Sequence, residues 1–330
     1  MLYQTENQHG GDVYGGGITL DFSANTNPLG TPPGVLEAVC RALPRLHRYP
    51  DPYCRRLVQA IAGHEQVPAS YILCGNGAAD LIYTYCAALR PRTAVELAPT
   101  FVEYGAGLAQ VGCRVERYFL HQAQNFDLDE RFLSFLEGKK PEVVFLCNPN
   151  NPTGRLIPLP LLEQILQYCA AQGARLFLDE CFLDLTEDGV SAKSLLAAHP
   201  ELLILKAFTK SYGMAGIRLG YCLCADNALL RRINALLLLK IRHAVANSQQ
   251  QQKREQYPTH RNRRFFVASR HHASSLSMGF TKIIDRTNRL VNRCLSPFFV
   301  DNSLFFQLSS EKNGKRMRHR ETSPPPRPAA

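Results

Sequence analysis

Apolar and polar positions follow a regular alternation through the first two thirds of the chain. Four apolar runs predict buried strands, at residues 94–99, 143–148, 174–179 and 202–207. Between them lie segments such as "PLPLLEQILQYCAAQG", in which apolar residues recur every three or four positions, a spacing that predicts helices. The alternation indicates an α/β fold with a mainly parallel central sheet.

Glycine-rich and polar segments follow the predicted strands, where the loops of a parallel sheet bind ligands. The segment "YILCGNGAADLIYTYCAAL" predicts a short strand, a turn at Gly75, Asn76 and Gly77, and a helix that begins near Ala78. Free amides at the start of a helix bind phosphate, and glycine lets the backbone approach the anion closely. An ordinary strand-to-helix turn has the same pattern, so this segment alone leaves both interpretations open.

Two further strand ends carry candidate polar groups. In "VVFLCNPNNPTG", two prolines and a glycine restrict the loop and can hold the amide of Asn151 in one place. In "ARLFLDECFLDL", a buried strand ends at Asp179 and Glu180. A carboxylate there can pair with a protonated ring nitrogen of a bound cofactor, although an aspartate after an apolar strand is common in other proteins too.

The segment "LKAFTKSYGMAGIRLGY" predicts a strand, a glycine-broken turn and a second strand, with Lys210 in the middle. A lone lysine in such a place is usually a solvated loop residue. Burial, however, lowers the pKa of an amine and makes it a nucleophile that forms a Schiff base with an aldehyde such as pyridoxal phosphate. The nearby Gly213, Gly216 and Arg218 favour the cofactor interpretation.

Taken together, residues 9–235 resemble the fold type I pyridoxal phosphate enzymes of the aminotransferase class I and II superfamily. The resemblance implies that Lys210 forms the Schiff base, that Asp179 pairs with the pyridine nitrogen and that Asn151 contacts the ring hydroxyl. It also implies that the cofactor phosphate is bound by Gly77, Ala78, Thr209 and Arg218. Phe101 would stack on the ring, and Tyr49 would reach the cofactor phosphate of the neighbouring subunit. A homodimer with shared sites is therefore expected.

Two positions depart from the usual pattern of that superfamily. Ala207 stands three residues before the lysine, where a serine commonly contacts the phosphate, so only Thr209 offers a hydroxyl nearby. Phe182 stands where a tyrosine often contacts the ring hydroxyl. Each change removes one hydrogen bond to the cofactor. From the first we expect weaker phosphate binding, and from the second the loss of one contact to the ring hydroxyl.

The N-terminal segments "HGGDVY" and "LDFSANTNPLG" indicate a branch of the superfamily. They resemble the threonine-phosphate decarboxylases of cobalamin biosynthesis more than the histidinol-phosphate aminotransferases. The resemblance implies a lyase whose small phosphorylated amino-acid substrate contacts His9, Gly10 and Asn25 together with Asn151. The alternatives are a transaminase of the histidinol-phosphate type and a pyridoxal-phosphate-binding remnant without activity.

Composition adds few constraints. The chain has 330 residues, 45% of them hydrophobic, and no run approaches the length of a membrane span. Its first residues lack the pattern of a secretory signal, so we expect a cytoplasmic protein. The 11 cysteines include no C-x-x-C pair, which predicts reduced thiols and no metal site.

Charge divides the chain sharply. Residues 237–330 hold 18 Lys and Arg against 5 Asp and Glu, net +13, whereas residues 1–236 hold 20 against 23, net −3. We predict an N-terminal arm with a small-domain segment at 1–45, a cofactor-binding large domain at 46–238, and an atypical, poorly ordered basic tail at 239–330. A translation frameshift near residues 236–240 explains the change best, and a basic tail for nucleic acid is the competing interpretation. No tail arginine can be assigned to the substrate carboxylate, so impaired activity is expected.

Overall fold

A computed structural model describes residues 11, 13, 14, 17–21 and 23–237 of the chain. His9, Gly10 and the predicted tail at 239–330 lie outside the described residues. The predicted division into an arm, a large domain and a tail therefore stays a prediction.

A single seven-stranded sheet forms the centre of the described part. Its strands are β1 (Ile72–Gly75), β2 (Thr93–Ala98), β3 (Arg114–Phe119), β4 (Val143–Cys147), β5 (Arg175–Asp179), β6 (Leu202–Ala207) and β7 (Gly220–Cys224). They lie in the order β1-β7-β6-β5-β4-β2-β3. Only β7 runs antiparallel to its neighbours, since its pairs with β1 and β6 are antiparallel and the other pairs are parallel. The mainly parallel α/β sheet is thus confirmed.

Helices connect the strands and cover both faces of the sheet. They are α1 (Pro33–Ala42), α2 (Arg55–Glu65), α3 (Gly77–Leu89), α4 (Glu103–Ala109), α5 (Arg131–Lys139), α6 (Leu159–Gln172) and the one-turn α7 (Phe208–Ser211). A further helix starts at residue 227 and continues to the last described residue, 237. Within the described residues, every helix is too short or too polar to cross a bilayer.

The two faces of the sheet bury separate apolar cores. Because side chains alternate along a strand, Leu176 and Leu178 of β5 enter one core and Phe177 enters the other. We call these the first-face core, which includes Ile61 of α2, and the second-face core, which includes Tyr104 of α4. The alternation decides on which side of the sheet each polar strand residue lies.

The four predicted strands match β2, β4, β5 and β6 to within one residue at each end, and the predicted helix matches α6. The segment around Lys210 differs from its prediction. The two predicted strands are present as β6 and β7, but the predicted glycine-broken turn between them contains α7 and a 3₁₀ turn at Ala215–Ile217. A helical turn this short leaves no periodic signal in the sequence, which explains the error.

Candidate active site

The carboxyl ends of β4, β5 and β6 bring the candidate polar residues to one edge of the sheet. Asp179 is the last residue of β5, and Lys210 lies in α7 directly after β6. The loop with Asn151 follows β4, and α3 begins at Gly77 directly after β1. The topology therefore places the sequence-predicted groups beside one another, as expected for a sheet whose strands are parallel.

Asp179 is a buried carboxylate with two hydrogen-bond donors. Only 4% of it is exposed, and it lies on the second face of the sheet. The hydroxyl of Tyr104 donates to Oδ2 at 2.7 Å, and the amide of Cys181 donates to Oδ1 at 2.9 Å. Burial raises the pKa of Asp179, whereas these donors and the ammonium of Lys210 oppose that change. The two donors fix the orientation of the carboxylate, which can then pair with a cation.

Tyr104 is a residue that the sequence interpretation missed. Its ring is fully buried and packs at 5.6 Å, centroid to centroid, from the ring of Phe101. Both residues belong to the segment "APTFVEY", from which only Phe101 was predicted to have a role. Phe101 and Tyr104 are three positions apart, on either side of the start of α4. This spacing was the signal in the sequence that the two rings could lie side by side.

Lys210 is half-buried and its amine faces an aromatic ring. The Nζ atom lies 5.6 Å from the centroid of Phe182, the residue that replaces the usual tyrosine. Burial lowers the pKa of Lys210 and Arg218 lowers it further, while Cys181 and Asp179 act in the opposite direction. A lowered pKa leaves more of the amine neutral, which is the nucleophilic form.

The start of α3 and Arg218 together form an anion cradle. A Cβ atom built on Gly77 would lie 2.8 Å from Nη2 of Arg218, so the guanidinium lies directly against the backbone of that glycine. Gly77 also has a φ of +82°, which other residues rarely adopt. A Cβ on Gly220 would lie 3.0 Å from the amide nitrogen of Ala78, so Gly220 is also required for this close approach.

Within the described part of the chain, the side chain of Arg218 bonds to a backbone carbonyl and not to a carboxylate. Its Nη1 donates to the carbonyl of Ala215 at 3.3 Å. Among the described residues, no Asp or Glu forms an ion pair with Arg218. A guanidinium without an anionic partner, next to free helix amides, fits a phosphate group.

The loop after β4 is held by two asparagines that the sequence interpretation did not assign. Oδ1 of Asn148 accepts from the amide of Ile157 at 2.9 Å. Asn150 accepts from the hydroxyl of Thr100 at 3.0 Å and donates to the carbonyl of Pro99, also at 3.0 Å. The side chain of Asn151 forms no hydrogen bond with any described residue, so its amide stays available for a ligand.

The remaining predicted residues have different surroundings. Thr209 is half-buried and precedes Lys210 in α7, whereas Ala207 is buried. Asn25 is exposed, and Tyr49 is 89% exposed.

The segment Asn27 to Thr31 packs directly on the lysine loop. The amide of Asn27 donates to the carbonyl of Lys210 at 3.0 Å, and its Nδ2 donates to the carbonyl of Ser211 at 2.9 Å. The hydroxyl of Thr31 donates to the carbonyl of Gly213 at 2.7 Å. A Cβ on Gly213 would lie 2.8 Å from the backbone of residue 30, so glycine is required at this crossing. These contacts hold Asn27 and Thr31 beside the segment that carries Lys210.

These groups match the chemistry of pyridoxal phosphate. The cofactor presents an aldehyde, a basic ring nitrogen and a phosphate. The structure offers an amine of lowered pKa at Lys210, a buried carboxylate at Asp179 and an anion cradle at Gly77 and Arg218. The residues present therefore fit the group.

The fold and this arrangement define a pyridoxal-phosphate-dependent enzyme of fold type I. The family model "Aminotransferase class I and II" matches residues 18–279, and the chain belongs to this family. The match continues past residue 235, where the resemblance described above ends, into residues outside the described part.

Two kinds of relative are similar to this chain in sequence. The threonine-phosphate decarboxylase of Salmonella typhimurium is 39% identical over 76% of this chain and 71% of its own length. The histidinol-phosphate aminotransferase of Bacillus velezensis is 33% identical over 67% of this chain and 61% of its own length. The chain thus spans about three fifths to seven tenths of these relatives.

A solved structure shares the fold. The histidinol-phosphate aminotransferase from Clostridium acetobutylicum superposes with a TM-score of 0.59 at 29% identity, covering 64% of this chain and 62% of that one. The L-threonine-O-3-phosphate decarboxylase from Porphyromonas gingivalis, at 22% identity and a TM-score of 0.58, supports the fold alone. Both branches weighed in the sequence are therefore represented among the relatives.

Proposed function

We propose that this chain catalyses the decarboxylation of L-threonine O-3-phosphate to an aminopropanol phosphate, with pyridoxal phosphate as cofactor. The observation that carries the proposal is the contact of Asn27 with the carbonyl of Lys210, at 3.0 Å. It brings the N-terminal part of the chain, whose sequence resembles the decarboxylases, to the reactive lysine. The 39% identity to the Salmonella decarboxylase supports the same assignment.

Different described residues bind the different parts of the cofactor. Lys210 supplies the amine that binds the cofactor aldehyde, and Asp179 pairs with the protonated ring nitrogen. Arg218 and the amides of Gly77 and Ala78 hold the cofactor phosphate. Asn151 reaches the ring hydroxyl and Phe101 covers the ring. When bound, the cofactor supplies an electron sink for the bond that breaks at the substrate Cα.

The choice between decarboxylation and amino transfer would depend on which bond at the substrate Cα the surrounding residues orient for breaking. In a decarboxylation the bond from Cα to the carboxylate would break and carbon dioxide would leave, and the bound cofactor would supply the acceptor for the electron pair of that bond. Nζ of Lys210 would deliver a proton to the substrate Cα. We assign His9, Gly10 and Asn25 to the substrate end, where they orient the carboxylate for this geometry.

Two assays of the purified full-length protein separate the alternatives. We expect slow release of carbon dioxide from threonine phosphate, in line with the impaired activity expected from the sequence, and no amino transfer between histidinol phosphate and 2-oxoglutarate. Transfer without carbon dioxide release would replace the proposal by the transaminase, for which the Bacillus relative is the supporting observation. Cofactor binding with neither activity would indicate the non-catalytic remnant.

Cofactor attachment has its own test. Borohydride reduction of the protein with pyridoxal phosphate, followed by peptide mapping, should label Lys210. Lys210→Ala should abolish this label, while Lys193→Ala, which removes a lysine outside the site, should keep it. A label on another lysine in the wild-type protein would refute the assignment.

We also propose that the active form is a cytoplasmic homodimer in which Tyr49 reaches the partner's cofactor phosphate. The 89% exposure of Tyr49 and the 69% exposure of Tyr53 support a partner surface here. Mixing Tyr49→Ala with Lys210→Ala should restore cofactor-dependent activity that each variant lacks, because one mixed site regains both residues. Sedimentation as a monomer would contradict the proposal.

A further inference from the structure

A buried group of charges lies on the first face of the sheet, directly behind the active site. We call it the Glu65 network. Its centre is Glu65 of α2, which is 2% exposed. The carboxylate of Glu65 accepts from the hydroxyl of Tyr221 at 2.5 Å and from Nζ of Lys193 at 3.0 Å. Nζ of Lys206 lies 3.3 Å from the same carboxylate.

Lys206 joins this network to the loop after β5. The lysine is 5% exposed, and its Nζ donates to Oδ1 of Asp184 at 3.1 Å. Burial disfavours the charge on Lys206, but the carboxylates of Asp184, Glu65 and Glu180 outweigh burial and raise its pKa. Burial likewise opposes ionisation of Glu65, yet Lys206, Tyr221 and Lys193 lower its pKa to about 2. The ammonium of Lys206 and the carboxylate of Glu65 are therefore ionised together at neutral pH.

The position of Lys206 in the chain connects it to the reactive amine. It is the penultimate residue of β6, and Lys210 follows four residues later in α7. Its partner Asp184 belongs to a 3₁₀ turn at Leu183–Leu185, directly after Phe182, whose ring faces Nζ of Lys210. One ammonium thus ties the segment that carries Lys210 to the segment that carries Asp179 and Phe182.

We propose that Lys206 is a positioning residue, which sets the place of the Lys210 amine relative to Asp179 and Phe182 through its pairs with Asp184 and Glu65. The inference rests on the proposed function only in naming Lys210 as the reactive amine. Removing the ammonium should let α7 move away from the β5 loop, so that Lys210 becomes more solvated. A purely stabilising network would instead lower the stability and leave Lys210 as it is.

The test measures Lys210 in the cofactor-free protein, so a failure of the decarboxylase proposal does not affect it. Trinitrobenzenesulfonate labelling at a series of pH values, read by peptide mass spectrometry, gives the pH midpoint of Lys210 reactivity. In Lys206→Met the midpoint should move upward, because relief from burial removes the main cause of the lowered pKa. Lys206→Arg keeps a positive charge and should restore the wild-type midpoint.

Two further variants make the result decisive. Lys193→Met removes the other ammonium on Glu65 without touching the β6 segment, and it should keep the wild-type midpoint. Asp184→Asn, at a side chain that is 41% exposed, breaks only one pair and should fold even if Lys206→Met does not. An upward shift in Asp184→Asn supports the proposal. An unchanged midpoint in every folded variant at Lys206 or Asp184, or an equal shift in Lys193→Met, would overturn it.

Discussion

Replacing Tyr104 by phenylalanine removes one defined interaction of the active site. The change deletes the hydroxyl that donates to Oδ2 of Asp179 at 2.7 Å and leaves the buried ring in place. A hydrogen bond to a charged group contributes roughly 1.5–3 kcal/mol, since the acceptor is otherwise left without a partner in the interior. We therefore expect Tyr104→Phe to lower the free energy of unfolding by about that amount.

The effect should also depend on pH. Burial raises the pKa of Asp179 in the folded protein, and loss of the Tyr104 donor should raise it further. A carboxyl group whose folded pKa is raised contributes stability at low pH, and this contribution is lost as the pH rises through the folded pKa. The deficit of Tyr104→Phe should accordingly be small in acid and should grow towards neutral pH. Urea unfolding at a series of pH values measures it.

Tyr85 provides a matched control in the same core. Its ring packs on Phe145 and Phe177, as that of Tyr104 does, and it is equally buried. The hydroxyl of Tyr85 has no hydrogen-bond partner among the described residues. Because a buried unpaired hydroxyl costs on the order of 1 kcal/mol or more, Tyr85→Phe should be neutral or stabilising. The reasoning would be refuted if both variants lost the same free energy of unfolding, or if the loss in Tyr104→Phe did not change with pH.

Three other changes have expected outcomes. Burial raises the pKa of Glu180 to about 6, so the folded protein should lose about 2 kcal/mol of stability as the pH rises from roughly 4.5 to 6. In Glu180→Gln this fall of the unfolding free energy with pH should be absent. An unchanged fall in the variant would show that Glu180 is not its cause. Gly77→Ala places a Cβ 2.8 Å from Arg218 at a φ of +82°. It should cost about 1–3 kcal/mol and weaken pyridoxal phosphate binding, as measured by equilibrium dialysis, whereas wild-type affinity would argue against the cradle. Gly138→Ala, at an exposed position of α5 with open space around it, should raise the unfolding free energy by about 0.5–1 kcal/mol without changing that affinity.

The elements that could be predicted are those with long periodic patterns. The strands β4, β5 and β6 are buried throughout, so each appears in the sequence as a continuous apolar run. Asp179 and Lys210 could be chosen as candidates because polar residues at the end of such a run, or within a few residues after it, lie near the carboxyl edge of the sheet. The rest of the predicted cofactor set depended on the resemblance to a family, since glycines and single arginines have many uses.

The contacts that support the site could not be predicted, because they join distant parts of the chain. Tyr104 and its acceptor Asp179 are 75 residues apart, and Asn27 lies 184 residues from its acceptor Ser211. Tyr221 donates to Glu65 from 156 residues away. No local pattern indicates which buried polar groups will meet once the helices have packed on the sheet, so these pairs require the folded structure.

The period of a strand explains why consecutive charged residues serve different parts of this site. Side chains alternate between the faces of a sheet, so Asp179 points into the second-face core, while the next residue, Glu180, lies on the first face. There Glu180 accepts from the hydroxyl of Ser191 at 2.6 Å, whereas Asp179 accepts from Tyr104 on the other side. Lys206 follows the same rule and lies on the first face with Glu180, and the helical turn of α7 then brings Lys210 towards Asp179. One face of the strand ends therefore carries the candidate cofactor-binding groups Asp179 and Lys210, and the other carries the buried charges Glu180 and Lys206.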